Sequence, residues 1–297
     1  MDKRILIILF FFVTLHYQKI NNNIMAKGRI LYINQEIIPY SPETEVSYFG
    51  RYLPAYIQDH GREIRTFMPR FSYVNERKNQ LHEVIRLSGM NLIISNCDHQ
   101  LIIKVGSISS ARMQVYFIDN EEYFTKKEDT RDLEGNFYPD NDERILFYGR
   151  GTLEAVRKLS WQPHLIHFNG WFSAMVPFYL RRMNKENNFY SNTKTVLSLF
   201  GDDFAEPLNP LMEKKLKADG ATAKDLRMYD GYNYMSLMKT AINYAHGIVI
   251  ASPNVNPELV AFAKENKKHV LDYAPKEEQY PAINKLYDTL IGNNINN

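Results

Sequence analysis

The sequence is poor in cysteine, in excess charge and in long hydrophobic runs. It has one cysteine, Cys97, in 297 residues, which excludes an internal disulfide and a cysteine-based metal site. A reducing compartment, the cytoplasm, is therefore expected. Its 36 Lys and Arg residues oppose 34 Asp and Glu residues, and no long basic block occurs. Nucleic-acid binders usually present a clustered basic face, so we do not expect that class of protein.

The N-terminus holds the one apolar run that needs explanation. Residues 5–15 are largely apolar and follow Lys3 and Arg4. The run is shorter than the roughly 20 residues that span a bilayer, so no membrane span is expected. It resembles the start of a signal peptide, yet no small-x-small cleavage site follows. The alternative is an over-extended reading frame that truly starts at Met25. We expect 1–24 to be a leader or a mis-assigned start, and 25–297 to form one domain.

Apolar runs typical of strands alternate with helical periodicity along the chain. The β-rich run 29–34 precedes apolar residues at helical spacing over 45–60, and a second β-rich run covers 63–68. Further strands are predicted over 164–168, 193–200 and 247–251, and helices over 142–159, 171–183, 232–245, 257–265 and 281–291. Repeated strand–helix–strand units predict an α/β fold with a doubly wound, Rossmann-like parallel sheet. Three strands joined by polar turns, 91–95, 101–107 and 113–118, indicate a small antiparallel insertion.

The common catalytic and cofactor motifs are missing. Gly149-Arg150-Gly151 lacks a third glycine and lies within a helical pattern, so it does not indicate a dinucleotide loop. His164 and His167 point to opposite faces of a predicted strand and cannot share a metal. No G-x-S-x-G elbow occurs. Neither a cofactor nor a metal is expected.

A series of short segments in a fixed order is more informative. They are Glu36-x-x-Pro39, Leu53-Pro54, 116–120 (YFIDN), 138–144 (YPDNDER), 153–155 (LEA), 163–171 (PHLIHFNGW), Val176-Pro177, Tyr179-Leu180, 239–245 (KTAINYA) and Ala251-Ser252-Pro253. In this order and spacing they resemble the N-terminal domain of bacterial glycogen/starch synthases, over residues 27 to about 264. The resemblance implies a GT-B retaining glycosyltransferase, which transfers glucose from ADP-glucose to an α-1,4-glucan without a catalytic metal. In that family the N-terminal domain holds the acceptor glucan and one donor-phosphate loop.

The candidate cleft residues are Glu36, Tyr40, Asn169, Trp171 and Asp202. Asn169 and Asp202 follow predicted strands, and ligands of open α/β sheets bind at the carboxyl ends of strands. Two of these residues also have an ordinary structural interpretation. Glu36 suits a local cap or ion pair, and Trp171 suits the core at a helix start.

Five positions in three segments depart from the family pattern. The family's lysine-threonine-glycine-glycine-leucine loop aligns with 42–46, where Pro42, Thr44 and Glu45 replace the lysine and both glycines. Carboxylates there would repel a pyrophosphate. Gly170 occupies the position of the family's cleft aspartate, and Phe200 that of a sugar-binding histidine.

The segment after Ala251-Ser252-Pro253 is the last departure. About 40 residues follow, whereas the family continues into a nucleotide-binding domain, so we expect that second domain to be absent. Two functions remain open: a non-catalytic glucan-associated or regulatory protein, and one subunit of a split glycosyltransferase. The expected partners are an α-glucan, a protein or a second copy of the chain. They would bind an aromatic edge containing Trp171, Phe200 and Phe204, unless the last helix covers it.

Overall fold

The computed structural model describes residues 28–266 and 269–292. The expected leader, 1–24, lies outside the described residues. The strands are β1 Arg29–Asn34, β2 Glu63–Pro69, β3 His82–Glu83, β4 Met90–Ile94, β5 Cys97–Ile108, β6 Met113–Asp119, β7 Leu165–Asn169, β8 Lys194–Leu199, β9 Gly247–Ile250 and β10 His269–Leu271. The α-helices are α1 Glu45–Asp59, α2 Asn141–Lys158, α3 Val176–Glu186, α4 Met212–Ala218, α5 Ala223–Met228, α6 Tyr234–Tyr244, α7 Pro257–Glu265 and α8 Lys276–Ile291.

The sheet has the predicted doubly wound topology. Its strand order is β10-β9-β8-β7-β1-β2-β6-β5-β3, and all pairs from β10 to β6 are parallel. The chain runs outward from β1 through β2 and then returns to β7 on the other side of β1. The order therefore reverses between β1 and β7, which is where open α/β sheets form their ligand crevice.

The structure contains an antiparallel insertion, but its strands are not all the predicted ones. It consists of β3, β4 and β5, which pair antiparallel around β5. The run 113–118 was expected to belong to it, but as β6 it pairs parallel with β2 and antiparallel with β5. The run indicates a strand and does not specify the neighbours, and β6 has an antiparallel neighbour on one side and a parallel one on the other.

Helices cover both faces of the sheet. On one face α1 and α8 pack on apolar side chains of β1, β8 and β9, among them Ile30, Val196 and Val249. On the other face α2, α3, α6 and α7 enclose the larger core, which includes Leu31 and Ile33 of β1. Successive residues of β1 thus alternate between two cores, which explains why this strand is apolar throughout.

Helix ends follow local chemistry in some places and depart from the predictions in others. Helix α1 begins with a reciprocal capping box between Thr44 and Ser47. The helix expected from Trp171 instead starts as a 3₁₀ turn, and α3 begins only at Val176, with Pro177 in its first turn. Helix α8 begins at Lys276, before the predicted Pro281. No helix within the described ranges is long and apolar enough to cross a membrane.

Candidate functional site

Side-chain amides join the carboxyl ends of β1 and β7. Asn34 and Asn169 are paired in register as the last residues of these strands. The Asn169 Nδ2 donates to Asn34 Oδ1 at 2.6 Å, and the backbone N–H of Gln35 donates to the Asn169 carbonyl at 3.1 Å. Both asparagines are fully buried. The predicted Asn169 therefore closes the floor of the crevice by linking its two central strands.

Glu36 lies directly above this floor, with 7% of its surface exposed. Its Oε2 accepts a hydrogen bond from the Thr44 hydroxyl, and its Oε1 accepts one from Gln35 Nε2 at 3.4 Å. Burial raises the pKa of Glu36 to about 7, and the carboxylates of Asp129 and Asp202 act in the same direction. Charge on this carboxyl is therefore disfavoured, and the group is close to half protonated at neutral pH.

The loop 42–45 forms the N-terminal end of α1. Thr44 Oγ1 accepts from the Ser47 N–H at 3.0 Å, and Ser47 Oγ accepts from the Thr44 N–H at 2.8 Å. Pro42, Glu43, Thr44 and Glu45 are all exposed. A helix N-terminus attracts anions when its N–H groups are free. Here the side chains of Thr44 and Ser47 accept from two N–H groups at that end, and the carboxylates of Glu43 and Glu45 lie in the same segment.

Gly170 follows β7 with φ 78° and ψ 155°. This backbone region is almost restricted to glycine. A Cβ added there would lie 2.8 Å from Gln35 Oε1 and 2.9 Å from Gln35 Cβ. Gln35 Oε1 in turn accepts from the Phe172 N–H at 3.2 Å. The space of a larger side chain is thus filled by Gln35.

Asp202 lies on the other side of β7 from Glu36, after β8. Its Oδ2 accepts from the Trp171 N–H at 3.2 Å, and its Oδ1 accepts from the Tyr234 hydroxyl at 3.3 Å. Burial raises the pKa of Asp202 to about 6, although these two donors oppose the shift. The structure therefore brings the predicted Glu36, Asn169 and Asp202 to one edge.

The expected exposed aromatic edge does not exist. Trp171, Phe200 and Phe204 are all buried. Phe200 packs against Phe49 at 5.3 Å between ring centroids and belongs to the core that α8 covers. The covered alternative, in which the last helix folds back, is therefore correct for Phe200. Trp171 packs on Phe204 at 4.5 Å, on the opposite face of the sheet.

Tyr40 is not a cleft residue either. It is buried in a separate small core with Val115 and Phe117, and its ring meets Phe117 edge-on at 4.9 Å. Its position close to Glu36 in sequence suggested the crevice, but the chain turns after Ile37 and directs this ring toward the insertion.

A cavity of about 260 Å³ lies beside Trp171 and Phe204, and sequence reasoning missed it as a site. It forms where the loop before α2 meets the loop before α4, and is lined by Phe137, Tyr138, Pro139, Asn141, Asp142, Pro207, Leu208, Asn209 and Pro210. Phe137 joins it to the crevice, because its ring stacks on Phe204 at 5.2 Å and lies 6.1 Å from Trp171. The motif 138–144 was the available signal, but its partner segment 207–210 has no sequence signature.

Asp142 supplies charge at the wall of the cavity. Its side chain is fully buried, and Oδ2 accepts from Lys215 Nζ at 2.5 Å. Lys215 also contacts Glu143 at 2.7 Å. The other oxygen of Asp142, Oδ1, has no hydrogen-bond partner among the described residues. Burial raises the pKa of Asp142 to about 6. The wall therefore contains a buried carboxyl group with one unpartnered oxygen and, in the part of the chain that the structure describes, no spare cation, since Lys215 serves two carboxylates.

Arg144 orders the loop that leads to the cavity. This fully buried guanidinium donates to the carbonyls of Tyr123 and Glu128, each at 2.8 Å, and to Asn141 Oδ1 at 2.6 Å. Within 28–266 and 269–292, no cluster of three His, Cys, Asp or Glu side chains could hold a metal ion. His164 accepts the Arg29 N–H at 2.8 Å, whereas His167 contacts Tyr287 and Ser198, so the two do not meet.

Comparison with known proteins identifies the family. The starch synthase catalytic domain family matches residues 29–272. This chain belongs to it. The chain is 33% identical over 270 residues to the glycogen synthase of Chlorobium phaeobacteroides, covering 87% of this chain and 55% of that protein. It is 34% identical over 173 residues to the glycogen synthase of Chlorobium chlorochromatii, covering 58% of this chain and 35% of the relative.

The fold comparison agrees with this membership. The starch synthase family member described here superimposes on the catalytic domain of starch synthase IV from Arabidopsis thaliana, solved with ADP and acarbose, with a TM-score of 0.64. The sequences are 15% identical, and the match covers 82% of this chain and 51% of the other. The α/β architecture is thus that of the GT-B glycosyltransferases. The chain spans about half the length, or less, of the relatives it matches.

Proposed function

We propose that this starch synthase family member binds an α-glucan in the cavity before α2 and does not itself transfer glucose from a sugar nucleotide. The cavity's chemistry is the observation that carries the proposal. Its relatives are named glycogen synthases, which supports an α-glucan as the ligand class. The exposed, unpaired Cys97 supports a cytoplasmic location.

The lining of the cavity suits a neutral polyol. Phe137 and Tyr138 offer ring surface for the apolar face of a sugar, and the amides of Asn141 and Asn209 lie in the same wall. Behind them the buried Oδ1 of Asp142 has no partner within the described ranges, and a small shift of the wall would let it accept a hydrogen bond from a sugar hydroxyl. Apolar walls with a few fixed polar groups are typical of small-ligand sites. Phosphate would find carboxylate oxygens here and no unshared cation.

The end of α1 argues against a nucleotide donor. A diphosphate needs free N–H groups or cations, yet the capping box uses the N–H groups of Thr44 and Ser47, and Glu36, Glu43 and Glu45 lie at the same end. Each like-charge contact with a phosphate costs on the order of 1 kcal/mol near a surface. The N-terminal end of α1 therefore favours an uncharged ligand.

Calorimetric titration with maltotriose and with ADP-glucose tests both halves of the proposal. We expect maltotriose to bind and ADP-glucose to show no measurable heat up to millimolar concentration. Pro210→Trp places an indole in the cavity and should abolish maltotriose binding. Leu211→Trp is the matched control, because Leu211 is 60% exposed and lies outside the cavity lining.

Two results would contradict the proposal. Saturable binding of ADP-glucose would show that the carboxylates do not exclude a donor. Maltotriose binding that survives Pro210→Trp would place the glucan elsewhere. Light scattering on the same samples reports whether the chain self-associates.

A further inference from the structure

A row of tyrosines lies on the outer face of α1, away from the cavity. Tyr48 and Tyr52 are 41% and 43% exposed, and Tyr56 follows one turn later at the same four-residue spacing. Residues four apart lie above one another on a helix, about 6 Å apart along its axis. We call Tyr48 and Tyr52 the α1 tyrosine pair.

Polar contacts hold both rings of the pair in place. Their centroids are 5.9 Å apart, and their planes differ by 14°. The Tyr48 hydroxyl donates to Glu43 Oε2 at 2.7 Å. The Arg51 guanidinium lies 5.4 Å from the Tyr52 ring centroid and donates to Ser110 Oγ at 2.8 Å. Two rings fixed before a ligand arrives lose little conformational freedom on binding.

The surroundings of the pair favour a sugar chain over a protein. Glu43, Glu45 and Arg51 flank the rings with acceptors and donors, and no large exposed aliphatic side chain of α1 accompanies them. A protein interface would need an apolar centre of several residues. Isolated ring faces bordered by charged hydrogen-bonding groups suit the alternating apolar and hydroxyl surfaces of a glucan.

The pair is also continuous with the crevice. Tyr48 is bonded to Glu43, and the adjacent Thr44 is bonded to Glu36, which follows Asn34 by two residues. We propose that the α1 tyrosine pair is a second α-glucan contact, separate from the cavity before α2, which a long chain reaches across the crevice. This inference rests on the proposed function, since the ligand class is the same.

Ligand length separates the two sites. The cavity and the pair lie on opposite faces of the sheet, so one maltotriose occupies one of them, whereas a glycogen particle with many chains can contact both. We expect the double variant Tyr48→Ala, Tyr52→Ala to bind glycogen about tenfold more weakly in affinity electrophoresis, because two ring contacts are lost. Its maltotriose affinity should stay within about twofold of the wild type.

Three controls accompany this variant. The double variant Tyr48→Phe, Tyr52→Phe keeps both rings and should retain most of the glycogen affinity. Tyr273→Ala removes an equally exposed tyrosine, 48% exposed, from a different surface and should bind as the wild type does. Thermal unfolding of each variant checks that the fold is intact.

The outcomes distinguish this inference from the proposed function. Glycogen binding unchanged by the double alanine variant, together with maltotriose binding that Pro210→Trp abolishes, would overturn the tyrosine pair and leave the cavity proposal standing. Glycogen binding that depends on the pair without any maltotriose binding would support the pair and refute the cavity. Absence of binding to both ligands would refute both.

Discussion

At the scale of single residues, Gly170 has a backbone that disfavours any side chain. The backbone has φ 78°, and Gln35 occupies the space of a Cβ. We expect Gly170→Asp and Gly170→Ala to lower the free energy of unfolding by similar amounts, about 2–4 kcal/mol, measured by urea denaturation. Similar losses in the two variants would mean that the added Cβ, and not the charge of the aspartate, causes the destabilisation. A stable Gly170→Asp variant would contradict this account.

Glu36 gives a pH dependence whose sign follows from its raised pKa. The unfolded chain releases this proton near pH 4.5, whereas the folded chain holds it until about pH 7. The folded state therefore binds more protons between these values, so the group's contribution to stability is present below pH 4.5 and is lost as pH rises to 7. Glu36→Gln should be more stable than the wild type by up to about 3 kcal/mol at pH 8 and by almost nothing at pH 4.5.

The free energy of unfolding of Glu36→Gln is compared with that of the wild type at each pH, because other groups also titrate. Burial lowers the pKa of His167 to about 3, so the folded state resists protonation and stability falls as the pH drops below about 6.5. This trend is shared by wild type and Glu36→Gln and cancels in the difference. Glu45→Gln is the matched control, since Glu45 is an exposed carboxylate in the same loop. A pH-independent difference for Glu36→Gln would show that burial does not tune this carboxyl.

At the scale of elements, α8 is held to the sheet by a buried polar chain. Tyr287 hydrogen-bonds the ring Nδ1 of His167 and lies 3.1 Å from the Tyr32 hydroxyl, and His167 Nε2 lies 2.6 Å from Ser198 Oγ. Tyr287→Phe leaves two buried groups short of a partner, and we expect a loss of about 1–3 kcal/mol in the free energy of unfolding at pH 8. Tyr273→Phe, at an exposed position, should change nothing; an equal loss there would show that the measurement does not report this network.

The same elements show what the sequence could predict. Strand ends placed Asn169 and Asp202 at the carboxyl edge of the sheet, because a short β-rich run indicates where a parallel strand stops. The burial of Tyr40 could not be predicted, and coverage of Phe200 by the last helix stayed an open alternative, because both depend on distant partners, Phe117 and α8. Asp142 was recognised as a helix start, but its place in a cavity depends on residues 207–210. Local sequence pattern therefore predicts helices and strands, whereas the exposure of a side chain depends on packing between distant segments.

At the scale of the whole molecule, Thr44, Gly170 and Phe200 each take part in packing with residues distant in sequence. Thr44 caps α1 and bonds Glu36; Gln35 fills the space beside Gly170; and Phe200 supports the core beneath α8. Substitution of any one of these residues therefore disturbs its neighbours. In the crevice, burial raises the pKa of Glu36 and of Asp202, so the charged form of each carboxyl is disfavoured.

Glucosyl transfer provides the last prediction. We expect no incorporation of labelled glucose from ADP-glucose into glycogen by the wild type, because the loop that would meet the diphosphate is capped and acidic. The triple variant Pro42→Lys, Thr44→Gly, Glu45→Gly should also be inactive, because Gly170 and Phe200 are unchanged. Its free energy of unfolding should be lower by about 1 kcal/mol, because the Thr44 cap of α1 is lost. The glycogen synthase of Chlorobium phaeobacteroides serves as the positive control. Incorporation by the wild type above that of a heat-denatured sample would show that this crevice accepts a donor despite its carboxylates.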